Sequence, residues 1–152
     1  AGLTDVDLDY PDRFMRVNLM GALHCVRLVM GPMSYGGGGS IVNQSSTAAW
    51  MAISGFYGLA KASLNFLTTS LAHELAPRNI RINAVAPGPT DTPAMNRQVP
   101  EEFRSMLVDS LAIKRIGTPD DHVGPVLFLL SEEAAWVTGH VLAIDGGQVT
   151  RI

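Results

Sequence analysis

Apolar residues along this chain recur at two different spacings, which alternate from one segment to the next. Spacings of three or four predict helices over residues 11–30 and 119–130, and a further helix that ends near Ala76, before Pro77. We expect the first helix to stop at the Gly-Pro pair at 31–32, because proline lacks the N–H that the next turn requires. Both faces of this helix are apolar, which is typical of a helix buried between two layers or two subunits.

Three short stretches rich in apolar and β-branched residues predict strands near residues 41–44, 80–86 and 140–145. Strands that alternate with helices are typical of a parallel sheet with helices on both faces. The four glycines at 36–39 follow a helix and precede a strand, which predicts a flexible turn, because a phosphate-binding loop has the opposite order. Residues 93–118 show the least regular pattern. The predicted fold class is α/β, in one domain over residues 1–152.

The composition narrows the classes of protein that this sequence represents. Of its 152 residues, 47% are apolar and 16% are charged, which indicates a folded domain with a buried core. The formal net charge of −3 argues against a nucleic-acid surface, and no apolar run is long enough to span a membrane. The single Cys25 excludes an internal disulfide, is expected to be buried, and fits a reducing compartment such as the cytoplasm. The N-terminal aspartates have no histidine beside them, so no metal site is predicted.

The clearest chemical signal is a tyrosine and a lysine four positions apart, Tyr57 and Lys61. On a helix, side chains at this spacing lie on the same face, one turn apart. A nearby cation favours the phenolate form of a tyrosine, which suits the phenol to proton transfer near neutral pH. Two serines, Ser45 and Ser46, follow the first predicted strand. A hydroxyl at that place can hold a substrate oxygen by a hydrogen bond while the proton moves.

These residues belong to a longer series of motifs. Asn-x-Ser-Ser ends at Ser46, and Tyr-x-x-x-Lys begins at Tyr57. Asn-Leu-x-Gly precedes them, beginning at Asn18, whereas Pro-Gly-x-x-x-Thr and Asp-Gly-Gly follow them, ending at Thr92 and Gly147. This series, in this order, resembles the active site of the short-chain dehydrogenase/reductase family, and the resemblance covers nearly the whole chain.

The resemblance implies a role for each residue of the motifs. Tyr57 would transfer the proton, and Lys61 would support the phenolate and hold the nicotinamide ribose. Ser46 would orient the substrate oxygen, and Asn18 would hold a water that relays protons to the lysine. The spacing to the tyrosine leaves Ser45 as an alternative to Ser46, and the second serine is the one preferred.

The resemblance also implies NAD or NADP as cofactor and a small-molecule alcohol or carbonyl compound as substrate. The residues expected to bind the cofactor are Tyr57, Lys61, Pro87, Gly88, Thr90 and Thr92. For the Pro/Gly segment among them, an ordinary rigid turn is the alternative interpretation. Apolar side chains in the irregular segment indicate a lid that favours a lipophilic or cyclic alcohol, and these are Met95, Val99, Phe103, Met106 and Leu107.

The family's glycine-rich strand-turn-helix is not among these motifs. We therefore expect the C-terminal part of a doubly wound, Rossmann-type parallel sheet, an incomplete Rossmann-type oxidoreductase domain. The family's dimer contact uses the helices of Asn18 and Tyr57, which implies a homodimer or homotetramer in the full-length form. Two alternatives remain. Sugar-nucleotide epimerases share Tyr-x-x-x-Lys but carry a longer domain after it, and a non-catalytic fragment of the family would only oligomerise.

Overall fold

A parallel sheet of three strands forms the centre of the molecule. The structure is a computed structural model that describes residues 3–7, 9–52 and 54–149. The strands pair in the order β1-β2-β3, and they are β1, Gly39–Gln44; β2, Ile80–Pro87; and β3, Val141–Ile144. Each lies close to its predicted range, and the parallel α/β fold class is confirmed.

The N-terminal helix is longer than the sequence predicted. It comprises α1, Asp9–Met15; a π-helical segment, Arg16–Met20; and α2, Gly21–Tyr35. The expectation that it stops at the Gly-Pro pair was wrong, because Pro32 lies inside the last turn of α2. In that position the proline forfeits one helical hydrogen bond, to the carbonyl of Leu28, whose side chain lies on the exposed side of the helix. Water can satisfy such a carbonyl, so the helix continues.

The glycine run after α2 forms the turn that was predicted. Gly37 and Gly38 have φ values of 93° and 133°, a conformation that side chains other than glycine rarely adopt. The amide of Asn79 donates a 2.8 Å hydrogen bond to the carbonyl of Gly37 and so ties the turn to the start of β2.

The remaining helices follow the predicted order with one exception. They are α3, Gly55–Leu75; α4, Pro93–Gln98; α5, Glu101–Ser110; and α6, Asp120–Leu130, with 3-10 turns at Thr47–Trp50, Ala76–Arg78 and Glu132–Ala134. The segment expected to be the least regular holds both α4 and α5. Its two prolines, Pro93 and Pro100, stand at the starts of these helices, where proline is tolerated.

Helices pack on both faces of the sheet. Ile41 and Ile82 are paired across β1 and β2, and they point to the side where α2 and α3 close the core. Their neighbours Ser40 and Arg81 point the other way, because side chains alternate along a strand. On that side Ser40 Oγ donates to the carbonyl of Leu129 at 2.9 Å, and Arg81 donates to the same carbonyl at 2.9 Å. These bonds hold the C-terminal end of α6 against the sheet.

Cys25 does not occupy the buried position that was expected. Cys25 is exposed, and among the described residues of α2 only its neighbour Val26 is fully buried. Within the part of the chain that the structure describes, no helix is both long enough and apolar enough to cross a membrane.

Candidate active site

The predicted site residues gather at one edge of the sheet. Ser45 follows β1, residues 87–92 begin at the end of β2, and Asp145 follows β3. Since the three strands are parallel, their C-terminal ends lie side by side. In open α/β sheets, ligands bind outside this edge.

The structure brings the predicted tyrosine and lysine together on α3. Lys61 Nζ lies 5.7 Å from the centre of the Tyr57 ring. Lys61 is only 8% exposed, whereas Tyr57 is 39% exposed. Desolvation by burial lowers the pKa of the lysine, because water no longer stabilises its charge. The site thus places a buried cation close to an accessible phenol ring.

One hydrogen bond anchors the lysine to the end of β1. Lys61 Nζ donates to the carbonyl of Gln44 at 2.8 Å. An ammonium has three N–H donors, and among the described residues only the Gln44 carbonyl accepts a hydrogen bond from Nζ. Two buried donors therefore remain for a ligand, and vicinal hydroxyls such as those of a ribose suit them.

The two serines after β1 have different surroundings. Ser45 is buried, and its hydroxyl donates to Asn65 Oδ1 at 2.5 Å, so it is committed to α3. Ser46 is half-buried and caps the Thr47–Trp50 turn, where its oxygen accepts from the N–H of Ala48 at 3.2 Å. Because that contact uses only the oxygen, the Ser46 hydroxyl proton stays available for a bound oxygen atom. The geometry favours Ser46 over Ser45.

A glycine beside the tyrosine allows the serine segment to approach α3. A Cβ added at Gly58 would lie 2.7 Å from the carbonyl oxygen of Ala48 and 2.6 Å from the Cβ of Ser54. Real Cβ atoms do not approach a backbone that closely. Gly58 thus permits the contact between the turn after Ser46 and the first turn of α3. The sequence reasoning missed it, because a helical glycine alone does not reveal what packs on it.

Asn18 lies in the π-helical segment and does not contact the lysine directly. Its side-chain amide donates to the carbonyl of Phe14 at 3.1 Å, one turn earlier. The ring of Phe14 meets the Tyr57 ring edge-on, with 6.3 Å between centroids. Asn18 is therefore linked to the tyrosine through its own helix. π-Helical segments occur often at functional sites, where they displace backbone groups from the regular pattern.

The Pro/Gly segment after β2 is an ordered loop that is tied to β3. The N–H of Gly88 donates to the carbonyl of Ile144 at 3.0 Å, and a Cβ at Gly88 would lie 2.6 Å from the Cα of Asp145. Thr90 Oγ1 donates to the carbonyl of Gly88 at 3.0 Å. The hydroxyl of Thr92 accepts from the N–H of Met95 at 3.2 Å and caps α4. The loop thus presents its backbone at the site edge, while the Thr92 oxygen has a structural contact.

Thr47 was not predicted, although it connects three segments of the site. It is buried, and its hydroxyl lies 3.3 Å from the carbonyl of Pro87 and 2.8 Å from Gln148 Oε1. These contacts join the serine segment to the loop after β2 and to the segment after β3. Their partners are 40 and 101 residues away in sequence, so no local pattern signals them.

Comparison with known proteins places this geometry in a family context. Residues 1–149 match a family model described as enoyl-(acyl carrier protein) reductase. The chain is 52% identical over 149 residues to an uncharacterised oxidoreductase of Mycobacterium tuberculosis, covering 98% of the chain and 60% of the relative. It is 38% identical over 149 residues to the 7alpha-hydroxysteroid dehydrogenase of Bacteroides fragilis, covering 97% and 58%.

The solved structures agree with these relatives. A 7alpha-hydroxysteroid dehydrogenase complexed with NADH and 7-oxo glycochenodeoxycholic acid superposes with a TM-score of 0.94 at 31% identity. That match covers 99% of this chain and 60% of the solved chain. The chain therefore spans about three fifths of the length of the proteins that it resembles.

Proposed function

The chain belongs to the short-chain dehydrogenase/reductase family, and from this premise we propose that it carries the proton-transfer site of an NAD(P)-dependent oxidoreductase. The reaction interconverts an alcohol and a carbonyl compound. The observation that carries the proposal is the buried ammonium of Lys61 beneath the accessible phenol of Tyr57. A fixed cation in a poorly hydrated place stabilises the negative charge that develops on the phenol oxygen when it gives up its proton.

Each side chain has one task in this proposal. Tyr57 transfers the proton to or from the substrate oxygen, and Lys61 stabilises the phenolate. Ser46 donates its free hydroxyl proton to the same substrate oxygen and so fixes its position. Asn18, on the π-helical segment, supports the water through which the proton exchanges with solvent.

The residues at the sheet edge fit a nicotinamide cofactor, either NAD or NADP. Two donors of the buried Lys61 ammonium are available for ribose hydroxyls, and the Tyr57 hydroxyl lies on the same face of α3. The backbone of Pro87, Gly88 and Thr90, with Thr92 at the end of the loop, would hold the nicotinamide end. When bound, the cofactor supplies or accepts the hydride.

The proposed substrate class rests on a few apolar side chains of α4, α5 and the residues between them. Phe103 and Met106 are 52% and 67% exposed, although both are large and apolar. Together with Met95, Val99 and Leu107 they form the proposed lid, which suits a lipophilic or cyclic alcohol better than a charged sugar. The related enzyme solved with NADH and 7-oxo glycochenodeoxycholic acid is named for a hydroxysteroid, which is a substrate of this kind.

A second copy of the chain is the proposed partner. An apolar groove between the N-terminal helix and α3 is lined by Leu19, Phe66 and Leu67, and Phe66 is 75% exposed. Val17 and Leu28 on the N-terminal helix are also exposed. The proposed homodimer or homotetramer buries these side chains, because water disfavours a continuous apolar surface of this kind.

The proposed compartment is the cytoplasm. The one cysteine, Cys25, is exposed and has no second cysteine with which to pair. Thiols of this kind stay reduced in the cytoplasm.

A spectrophotometric assay tests the proposed function. The complete gene product is mixed with NADH or NADPH and a panel of carbonyl compounds, which includes cyclic ketones, oxo-steroids, short aliphatic ketones and charged sugars. We expect cofactor oxidation that depends on the substrate and is fastest with lipophilic or cyclic ketones. A preference for charged sugars would contradict the substrate class, and an absence of turnover with every compound and both cofactors would contradict the function.

A further inference from the structure

The loop after β2 has a partner that the motifs do not contain. His122 lies in the first turn of α6, and its Nε2 is 2.9 Å from Thr90 Oγ1. The same Thr90 hydroxyl donates to the carbonyl of Gly88 at 3.0 Å. A hydroxyl has only one hydrogen to donate, so it must accept from the histidine. The contact therefore assigns the Nε2–H tautomer to His122 and makes its ring the donor.

The other ring nitrogen has no competing task. Nδ1 of His122 is buried and has no hydrogen-bond partner among the described residues. The carboxylate of the adjacent residue, Asp121, is already occupied, because it accepts two 2.7 Å bonds from Arg115 and a 2.6 Å bond from the N–H of Thr118. The one directional contact of the imidazole is thus the bond to Thr90. A buried nitrogen without a hydrogen-bond partner lowers stability, so stability alone does not explain a histidine at this position.

The segment that leads into α6 is bonded both to the helix and to the loop. Arg115 donates two 2.7 Å bonds to the carboxylate of Asp121, which lies beside His122 in the first turn of α6. Two backbone bonds join this segment to the loop: the N–H of Asp91 donates to the carbonyl of Gly117 at 2.8 Å, and the N–H of Gly117 donates to the carbonyl of Pro89 at 3.0 Å. The imidazole adds a side-chain bond beside these two, at the residue in the middle of the loop.

We propose that His122 is a positioning residue for the cofactor loop, which it holds through Thr90 in the conformation that receives the nicotinamide end. This inference rests on the proposed function, since it assigns that loop to the cofactor. The loop is preorganised, so less conformational freedom is lost when the cofactor binds. Removal of the bond weakens cofactor binding and leaves the proton-transfer residues unchanged.

Two variants of nearly equal polarity test the proposal. Glutamine places an amide N–H near the position of histidine Nε2, whereas asparagine places it near the position of Nδ1 and cannot reach Thr90. We expect His122→Asn to raise the cofactor Kd and KM about threefold to tenfold, the range for one neutral hydrogen bond, with kcat within about twofold. We expect His122→Gln to restore most of the affinity. Thr90→Val removes this bond and also the bond from Thr90 to the Gly88 carbonyl, so it should weaken binding at least as much as His122→Asn. The double variant should be no worse than Thr90→Val, because Thr90→Val has already lost the bond to the histidine.

Hydrogen exchange without cofactor supplies a second readout that does not depend on activity. In His122→Asn, the amides of Asp91 and Gly117 should exchange faster, whereas amides of the β1–β2 ladder should keep their wild-type rates. Equal cofactor affinity and equal exchange in all variants would overturn the inference, and so would faster exchange without any change in affinity. If the wild-type protein bound neither NADH nor NADPH, the proposed function would fail instead.

Discussion

Lys61 Nζ lies 5.7 Å from the centre of the Tyr57 ring, and the lysine is buried while the tyrosine is accessible. The two residues share one face of α3, and the lysine is held by the carbonyl of Gln44 at the end of β1. The charge is therefore fixed in place, and it acts on the phenol with less screening than a charge in water. This relationship is the physical basis of the proposed proton transfer.

The buried lysine predicts a specific dependence of stability on pH. Burial lowers the pKa of Lys61 below its ordinary value of 10.5. Between the lowered pKa and 10.5 the unfolded chain binds more protons than the folded chain, so the free energy of unfolding rises with pH in that window. Below the window, the cost of burying the ammonium is fully present. We expect the wild type to gain stability relative to Lys61→Met as the pH is raised from neutral towards 10.5.

Urea unfolding at a series of pH values measures this difference. The matched control is Lys114→Met, since Lys114 is exposed and its one acceptor among the described residues is the carbonyl of Asp109. The stability of Lys114→Met should change with pH in the same way as that of the wild type. The interpretation would be wrong if Lys61→Met and the wild type gave parallel profiles.

Gly58 predicts an intolerance to the smallest side chain. In Gly58→Ala the new methyl group meets the Ala48 carbonyl at 2.7 Å, and neither backbone segment can move freely. We expect a loss of about 1–3 kcal/mol in the free energy of unfolding, the usual cost of overpacking. Gly21→Ala is the matched control, because its added Cβ would meet only the Arg16 carbonyl at an ordinary 3.5 Å and alanine favours the helix. Denaturant unfolding should show opposite signs for the two variants, and a stable Gly58→Ala would refute the close packing.

The apolar groove predicts an effect on assembly. In Phe66→Ser a large exposed apolar side chain is lost from the groove, and we expect the dissociation constant of the oligomer to rise about tenfold or more. Tyr35→Ser is the control, since Tyr35 is 98% exposed but lies outside the groove. Sedimentation velocity over a range of concentrations gives the result. A wild-type protein that is monomeric throughout would contradict the proposed partner.

The sequence predicted the features that depend on local spacing. Tyr57 and Lys61 stand one helical turn apart, and a period of 3.6 residues is enough to place them on one face. The strand at Ile80–Pro87 was predicted because its apolar residues first alternate with Arg81 and Asn83 and then continue without interruption, as in a buried parallel strand. Their assembly into one sheet edge then follows from the parallel order.

Features that depend on distant partners were not predicted. Thr47 meets Pro87 and Gln148 only after the chain has folded, and the fit of Gly58 against Ala48 depends on backbone positions. The end of the first helix was predicted wrongly for another reason. A proline in the last turn costs one hydrogen bond, and the sequence does not show whether water can replace it.

Turnover by Tyr57→Phe is the measurement that tests the central claim most directly. Only the phenol oxygen is removed, so the ring, the Phe14 contact and the fold remain. Tyr35→Phe makes the same change at a residue that is 98% exposed and away from the site. In the complete gene product, we expect Tyr57→Phe to lower kcat about 100-fold to 10,000-fold, the range for loss of an acid-base group, while cofactor affinity falls by no more than about tenfold, the cost of one neutral hydrogen bond. Tyr35→Phe should keep wild-type kcat. A Tyr57→Phe enzyme that kept kcat within a few-fold of the wild type would contradict the assignment of Tyr57 as the proton-transfer residue.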